Sequence, residues 1–288
     1  MVEMFFSGGQ VDVGHYRSDP MVLLSGPPSS GKTSLLFQFA YNAAAAGGDV
    51  VFICNRDKLE SKPPFLSQEI LPSSDTFTRI HMKYVDNEEG IKKYFAAFHL
   101  HDTYPLAVVI DDFGDFFNER YLFSSEFSSA TPFFLLLLSV ASHGENLTFF
   151  FPQIHMAFVT YLITERVCRA QYGNPRGRDM AMVRVLALCH NALRHANEKG
   201  YCGLILSDTH YGDSPRLLFI YKRWIHSIFT VKGDGGGSFL IRRNIHLLGS
   251  SSKKTRIAKY SIALQYLFLE QIIDDEDDNQ QLGLSNAL

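Results

Sequence analysis

The sequence has few cysteines, a single tryptophan and little net charge. Its 288 residues include only four cysteines, and none of them forms the CxxC spacing of a zinc or redox site. We therefore expect buried thiols in a reducing compartment. The formal charge of −3 argues against a protein whose whole surface binds nucleic acid. Any nucleic-acid site must accordingly be local.

The sequence also lacks segments that direct a chain into a membrane. Residues 1–20 contain no basic stretch followed by an apolar one, so we expect no secretory signal. The strongly apolar residues 147–163 form a run shorter than about 20 residues, interrupted by Pro152, Gln153 and His155, which disfavours a membrane span. We expect a nuclear or cytosolic protein without membrane contact.

What the sequence does contain is an alternation of short apolar runs and helical patterns. Strands are predicted at residues 21–25, 49–54, 80–85, 106–110, 203–206, 217–229 and 238–242. Helices are predicted at residues 32–46, 88–99 and 178–198. Strands that alternate with helices predict an α/β fold with a doubly wound, mostly parallel sheet flanked by helices.

The same patterns suggest a single core with extensions. We interpret residues 1–20 as an N-terminal extension, 21–248 as the core and 249–288 as a tail that is first basic and then acidic. The polar, acidic stretch from Asp274 is expected to be disordered. Residues 147–177 interrupt the pattern with an abrupt change of composition. We interpret them as an insertion, such as a retained intron, that carries no function.

The segment GPPSSGKTS lies between the first predicted strand and the first predicted helix. Gly26, Gly31, Lys32 and Thr33 have the spacing of a phosphate-binding P-loop. In such a loop, backbone N–H groups and a helix N-terminus surround phosphate, and glycine permits the close approach. Lys32 would contact the β- and γ-phosphates of ATP, and the Thr33 hydroxyl would bind Mg²⁺. The predicted nucleotide-binding residues are Gly26, Pro27, Pro28, Ser29, Ser30, Gly31, Lys32, Thr33 and Ser34.

A buried strand at residues 106–110 runs into two carboxylates, as in a Walker-B motif. We predict that Asp111 holds Mg²⁺ together with Thr33, directly or through water. Asp112 would point the other way in an extended backbone, but a bend at the strand end would let it position a water. It is equally a solvated loop carboxylate or a helix cap.

Hydrolysis of ATP needs a base or a water-positioning group. Asp57 and Glu60 follow the second predicted strand, where they lie among basic residues and are equally surface charges. The catalytic candidates are thus Asp57, Glu60 and Asp112. Because no spacing selects one of them, a slow ATPase or a binder that scarcely turns over fits the sequence better than a fast motor.

Several segments together resemble the RecA-type recombinase paralogues, and within them the SWIM-protein-associated ATPases of homologous recombination. The resemblance covers about residues 22–117 and resumes from about 178 to 241. It depends on the order and spacing of five segments: the P-loop, Asn55-Arg56 after the second strand, residues 79–84, the helix that ends near His99-Leu100-His101, and the Walker-B strand. Ser207-Asp208-Thr209 lies in the later part.

The resemblance implies a nuclear DNA-repair ATPase that uses ATP and Mg²⁺. It further implies a hetero-oligomer with a SWIM-type zinc-finger protein and a recombinase, supporting recombinase filaments on single-stranded DNA. Lys32 and Thr33 match the family's phosphate and metal contacts, and Asp111 matches its Walker-B acid. The family's catalytic glutamate has no counterpart, since the nearest positions are Arg56 and Asp57.

Basic residues near the C-terminus are candidates for contact with single-stranded DNA. A second candidate is the aromatic side chain of Trp224 beside Lys222 and Arg223. The alternative is a core tryptophan with a solvated basic face or a localisation signal. His190 and His195 miss the i, i+4 spacing of metal ligands. The basic candidates are Arg242, Arg243, Lys253, Lys254, Arg256 and Lys259.

Two functions remain open on the sequence. One is an ATP-hydrolysing accessory protein of recombination, and the other is a scaffold whose ATP site stabilises a heterodimer without useful turnover. A small-molecule kinase is disfavoured, because no arginine-rich lid follows the core.

Overall fold

A computed structural model of the chain describes residues 2–9, 19–117, 175–210, 217–244 and 255–275. The interpretation of residues 147–177 as an insertion lies outside the described residues, apart from its last few residues, which begin a helix. Cys168, Lys253 and Lys254 also lie outside them.

The described residues form an alternating series of strands and helices. The strands are β1 (Met21–Gly26), β2 (Val50–Cys54), β3 (Ile80–Tyr84), β4 (Ala107–Ile110), β5 (Gly203–Thr209), β6 (Ser227–Gly233), β7 (Phe239–Asn244), β8 (Thr255–Ala263) and β9 (Tyr266–Asp275). The α-helices are α1 (Lys32–Ala45), α2 (Arg56–Ser61), α3 (Glu88–Ala96), α4 (Pro175–Lys199) and α5 (Leu218–Tyr221). Short 3-10 helices span Val2–Phe5, Asp75–Arg79, Phe98–Leu100 and Phe113–Phe117.

All of these strands belong to one nine-stranded sheet in the order β3-β2-β4-β5-β1-β6-β7-β8-β9. The strands from β3 to β6 in this order pair in parallel, and β7, β8 and β9 extend the sheet in antiparallel fashion. The protein is therefore an α/β protein with a mixed, mostly parallel sheet flanked by helices, which confirms that part of the sequence-based prediction.

Both faces of the central strands are covered, which explains their nearly continuous apolar sequences. In β1, Met21 and Leu23 face a core formed with α3 and α4, and Val22 and Leu24 face a core formed with α1 and the N-terminal 3-10 helix. The period-2 alternation of a strand thus divides the apolar residues between two layers.

The prediction of a strand over residues 217–229 is wrong in its first half. Residues 218–221 form α5, and β6 begins only at Ser227. Ile220 and Tyr221 are buried, whereas Phe219 and Lys222 are exposed. Adjacent buried residues flanked by exposed ones fit a helical turn rather than the strict alternation of a strand.

The interpretation of residues 249–288 as a tail is wrong for residues 255–275, which form the β8–β9 hairpin. Ala258 and Tyr260 are buried while the Lys259 side chain between them is paired with carboxylates, so the hairpin alternates as a half-buried strand does. Asp274, predicted to begin a disordered stretch, lies in β9 and pairs with Arg256 across the hairpin at 3.2 Å. The charged residues of this segment concealed the alternation of buried and exposed positions in the sequence.

Candidate functional site

The strand register brings the polar ends of three strands together. Gly26 at the end of β1 pairs with Thr209 at the end of β5, and Ile110 at the end of β4 pairs with Leu206. Since these strands are parallel, their carboxyl ends meet at one edge of the sheet. The β1–α1 loop (residues 27–31), Asp111 and residues 207–209 therefore adjoin at this edge.

Glycine is required on either side of the β1–α1 loop. Gly31 precedes α1 with φ of 77°, a conformation that side chains disfavour. A Cβ at Gly26 would lie 2.8 Å from the Cβ of Val231, so β6 approaches closely there. Within the loop, the Ser30 hydroxyl donates a hydrogen bond to the Pro27 carbonyl oxygen at 2.8 Å. The loop is thus held by its own contacts and by β6.

Lys32, the first residue of α1, is buried, and its ammonium group folds back onto the loop. Its Nζ donates a hydrogen bond to the Pro27 carbonyl oxygen at 2.9 Å. Desolvation lowers the pKa of Lys32, while the charges of Asp112, Asp111 and Asp208 oppose that shift. A desolvated cation at a helix N-terminus is an attractive environment for an anion, because water screens it little.

The Thr33 hydroxyl lies against the predicted Walker-B carboxylate. Thr33 Oγ1 donates a hydrogen bond to Asp111 Oδ2 at 2.8 Å, and Ser207 Oγ donates one to Asp111 Oδ1 at 2.7 Å. Burial raises the pKa of Asp111 to about 6, the charge of Asp112 adds to the shift, and the hydroxyl hydrogen bonds oppose it. The structure therefore brings Thr33 and Asp111 together at the end of β4.

These oxygen atoms suit a hard cation. Among the described residues, no group of three or more histidine, cysteine, aspartate or glutamate side chains converges as a metal site. A single carboxylate with a neighbouring hydroxyl fits Mg²⁺, which keeps several waters and takes further oxygens from phosphate. Thr33 and Asp111 would hold such an ion.

Asp112 lies just beyond the strand, in a bent backbone. Its φ is 50°, and its N–H group donates a hydrogen bond to Ser207 Oγ at 2.7 Å. Its Oδ1 accepts a hydrogen bond from Thr209 Oγ1 at 3.1 Å, and its Oδ2 lies 3.5 Å from Lys58 Nζ. The bend that the sequence left open is thus present, and it turns Asp112 toward the carboxyl edge of the sheet.

Helix α2 directs a cation, rather than an acid, toward these carboxylates. The Asn55 side chain caps α2 by accepting a hydrogen bond from the Lys58 N–H at 3.1 Å. Asn55 and Lys58 line a cleft with Asp86, Asp111, Asp112, Asp115 and Phe116. Asp57 and Glu60 are exposed and do not line it, and Glu60 lies 3.9 Å from Arg56. Asp57 and Glu60 are three residues apart and therefore share one face of α2, which is not the face that carries Lys58.

The sequence analysis missed the polar end of β5 as part of this site. Ser207 and Thr209 contact Asp111 and Asp112, as described above. The buried Asp208 accepts a hydrogen bond from the Tyr221 hydroxyl at 2.9 Å. The signal was available, because an apolar strand that ends in Ser207-Asp208-Thr209-His210 has the same form as the one that ends in Asp111-Asp112.

Asp208 gives the stability of the protein a testable pH dependence. Burial raises its pKa from 3.8 to about 6, against the hydrogen bonds from Tyr221 and the Thr209 N–H. The folded state therefore holds this proton more tightly, and the stabilisation, complete below the unfolded-state pKa, is lost as pH rises through 6. Asp208→Asn should lose less free energy of unfolding between pH 4 and 7 than the wild type. Urea unfolding at several pH values measures this, and parallel curves would contradict it.

The C-terminal hairpin packs directly on the β1–α1 loop. The Tyr260 hydroxyl donates a hydrogen bond to the Ser30 carbonyl oxygen at 2.7 Å, and both residues are buried. The Ile262 side chain lies against Gly31, where it would overlap an added Cβ. The hairpin therefore supports the loop at Ser30 and Gly31.

Tyr260→Phe tests this support. It leaves the buried Ser30 carbonyl without its hydroxyl donor, so we expect a loss of about 1–3 kcal/mol in the free energy of unfolding. Urea unfolding provides the measurement, and Tyr266→Phe, at a residue that is 39% exposed on the same hairpin, is the control. Equal stability of the two variants would exclude a structural role for this bond.

Of the basic residues predicted to contact DNA, Arg256 and Lys259 are paired with carboxylates, and Arg243 donates a hydrogen bond to Ser227 Oγ at 2.7 Å. Arg256 pairs with Glu3 at 2.6 Å and also with Asp274. Lys259 Nζ lies 2.9 Å from Asp234 and 3.5 Å from Glu270. Such pairing reduces the charge that these residues present to phosphate.

The aromatic candidate packs in the core layer on one face of the sheet, whereas Ala258 and Tyr260 of the hairpin belong to the core on the other face. Trp224 is half-buried, and its ring packs against His190 with centroids 5.6 Å apart, while Lys222 and Arg223 are exposed. Trp224 thus belongs in part to the core formed with α4.

The chain matches no protein-family model and no curated protein. Within the described part of the chain, no helix has the length and apolar character needed to cross a membrane.

Proposed function

We propose that the chain is an ATP-binding protein with a RecA-like P-loop fold, in which residues 26–34 surround the phosphates of the nucleotide. One observation carries this proposal. The buried Lys32 ammonium, the Thr33 hydroxyl and the Asp111 carboxylate gather at the N-terminus of α1. Phosphate binding uses this combination of a helix N-terminus, a loop lysine and a hydroxyl next to a carboxylate.

The sheet order supports the same location. In the sheet, β1 lies between β5 and β6. From β1 the chain continues to β2 on one side of β1, and it later passes from β5 to β6, which lies on the other side. In α/β sheets, ligands bind outside the carboxyl ends of strands where the strand order reverses. The mostly parallel sheet is compatible with a RecA-like fold.

In this proposal Mg²⁺ joins Thr33 and Asp111 to the β- and γ-phosphates. The ion would neutralise charge on the phosphates, and Asp111 would hold it from the end of β4. The proximity of Thr33 Oγ1 and Asp111 Oδ2, at 2.8 Å, supports this assignment.

Turnover of ATP should be slow. Asp57 and Glu60 are exposed outside the cleft, which leaves Asp112 as the candidate for positioning water. Asp112 Oδ2 is paired with Lys58 Nζ at 3.5 Å, so the ammonium group competes with a water for this oxygen. This pairing favours the alternative function, a nucleotide-binding scaffold whose ATP site stabilises a heterodimer.

The biological setting is proposed from the resemblance to RecA-type paralogues. It is an accessory role in homologous recombination in the nucleus, within a hetero-oligomer that includes a SWIM-type zinc-finger protein and a recombinase and that binds single-stranded DNA. The pairing of Arg256 and Lys259 with carboxylates supports modest DNA affinity for the chain without its partners.

A turnover assay separates the weak ATPase from the scaffold. We expect slow hydrolysis by the wild-type chain, which single-stranded DNA and a SWIM-type partner increase, and which Asp112→Asn lowers without weakening ATP binding. A scaffold would bind ATP equally in both forms and hydrolyse none. Fast turnover by the chain alone, unchanged by DNA or partner, would contradict the proposed role.

A further inference from the structure

Lys58 has no role in the site as predicted from the sequence, yet it is the cation of α2 that lines the cleft. Helix α2 starts directly after β2, and Asn55 fixes its first turn through the Lys58 N–H. This turn places Lys58 beside Asp111, Asp112 and Asp115 at the carboxyl edge of the sheet. Lys58 therefore occupies the region in which the sequence analysis sought a catalytic acid.

The ammonium group of Lys58 is held in place rather than extended into solvent. It pairs with Asp112, 3.5 Å away, and with Asp115, and its side chain is 30% exposed. These two carboxylates follow β4, the strand whose Asp111 contacts Thr33. The two contacts of Lys58 are therefore one and four residues along the chain from Asp111, the proposed metal-binding carboxylate.

Two cations consequently approach the same carboxylates from different elements. Lys32 comes from the N-terminus of α1 and interacts electrostatically with Asp112 and Asp111, while Lys58 comes from α2. Lys32 is assigned to the β- and γ-phosphates by its position in the loop. Because Thr33 contacts Asp111 and Lys58 contacts the adjacent Asp112, a triphosphate that extended from the loop toward Asp111 would bring its terminal phosphate toward Lys58.

We propose that Lys58 contacts the terminal phosphate of a bound nucleoside triphosphate and thereby makes the site prefer triphosphate over diphosphate. This inference rests on the proposed function. The terminal phosphate would approach Asp111, Asp112 and Asp115, and anions close to one another repel unless a cation lies between them. Lys58 supplies that cation from within the chain, and it stabilises the bound triphosphate rather than promoting attack by water.

We expect loss of the Lys58 charge to weaken the binding of ATP and not that of ADP. A charge-assisted contact to phosphate changes affinity by about tenfold or more. Lys58→Met removes the charge but keeps a long side chain, so it should weaken ATP binding about tenfold and leave ADP binding unchanged. Lys58→Arg retains the charge and should preserve the preference for ATP.

The experiment measures the affinities of the full chain for ATP and ADP by calorimetry with Mg²⁺ present. Lys62→Met is the matched control, because Lys62 follows the same helix and is exposed. Thermal melting of each variant reports whether the fold is retained. The wild type, Lys58→Arg and Lys62→Met should all prefer ATP, and Lys58→Met should not.

The outcomes distinguish this inference from the function on which it rests. A Lys58→Met chain that keeps the full preference for ATP, or that loses ATP and ADP affinity equally, would overturn the role of Lys58 while leaving nucleotide binding intact. A wild-type chain that binds neither nucleotide would instead overturn the proposed function, and the role of Lys58 with it.

A second variant tests the competition between the carboxylates and phosphate for Lys58. Asp115→Asn removes one partner of Lys58, so ATP affinity should rise relative to ADP affinity. In the Lys58→Met background this gain should disappear, since the cation is gone. A gain of equal size in both backgrounds would mean that Asp115 merely repels phosphate, and would count against the contact.

Discussion

Replacing Lys32 by alanine should lower the affinity for ATP at least tenfold, while the chain should remain folded. The buried ammonium lies at the N-terminus of α1, where it would form charge-assisted hydrogen bonds to phosphate. Such bonds contribute about 1.5–3 kcal/mol each, which corresponds to a factor of about ten or more in affinity. Calorimetric titration with ATP and Mg²⁺ measures the loss.

The control for this variant is Lys93→Ala, which removes an exposed lysine from the last turn of α3. It should bind ATP as the wild type does. Thermal melting should show that Lys32→Ala is folded, since Lys32 Nζ makes its hydrogen bond to the loop rather than to the core. Unchanged ATP affinity in a folded Lys32→Ala chain would show that residues 26–34 are not the nucleotide site.

Gly31→Ala should destabilise the protein by about 2–5 kcal/mol. A left-handed backbone costs a residue with a Cβ about 1–2 kcal/mol, and Gly31 has φ of 77°. The added Cβ would also overlap Ile262 of the β8–β9 hairpin, and such overpacking costs about 1–3 kcal/mol. Because strain at Gly31 displaces the loop or the hairpin, ATP binding should weaken as well. Urea unfolding and ATP titration measure the two effects.

Gly47→Ala is a matched control for the backbone contribution. Gly47 has φ of 94° and nothing within 4 Å of an added Cβ, so only the backbone cost applies there. The difference between the two alanine variants should measure the contact with Ile262, and it should shrink when Ile262→Ala is added to Gly31→Ala. Equal destabilisation at the two glycines would contradict close packing of the hairpin on the loop.

The parallel part of the sheet was predictable because burial on both faces leaves a clear signature. β1, β2 and β4 read as short apolar runs, and each ends in residues that interrupt the run. The motif at residues 26–34 also placed a loop between β1 and α1 from spacing alone. Both signals come from residues that are close together in the sequence, so they can be recognised without knowledge of the tertiary contacts.

The antiparallel extension was not predictable in the same way. In β8, Lys259 lies between the buried Ala258 and Tyr260, and the charges of Lys259 and Arg256 are balanced by carboxylates from β9, from the β6–β7 turn and from the N-terminal segment. Those partners are distant in sequence, so the charge looked like that of a solvated tail. Pairing across strands decides the structure of such a segment, and a single sequence does not display it.

In the candidate site, too, some residues were predictable from the sequence and others were not. Lys32, Thr33 and Asp111 follow from motifs that attach a residue type to a strand end. The face of α2 does not, because Asn55 sets it by capping the helix, which directs Lys58 to the cleft and leaves Asp57 and Glu60 exposed.

The most direct test of the account is a competition experiment on the full wild-type chain with labelled ATP and Mg²⁺. If residues 26–34 bind the phosphates, ADP and inorganic tripolyphosphate should displace the labelled ATP, and adenosine should not. The account would be contradicted if the chain bound no ATP, or if adenosine displaced ATP while tripolyphosphate had no effect.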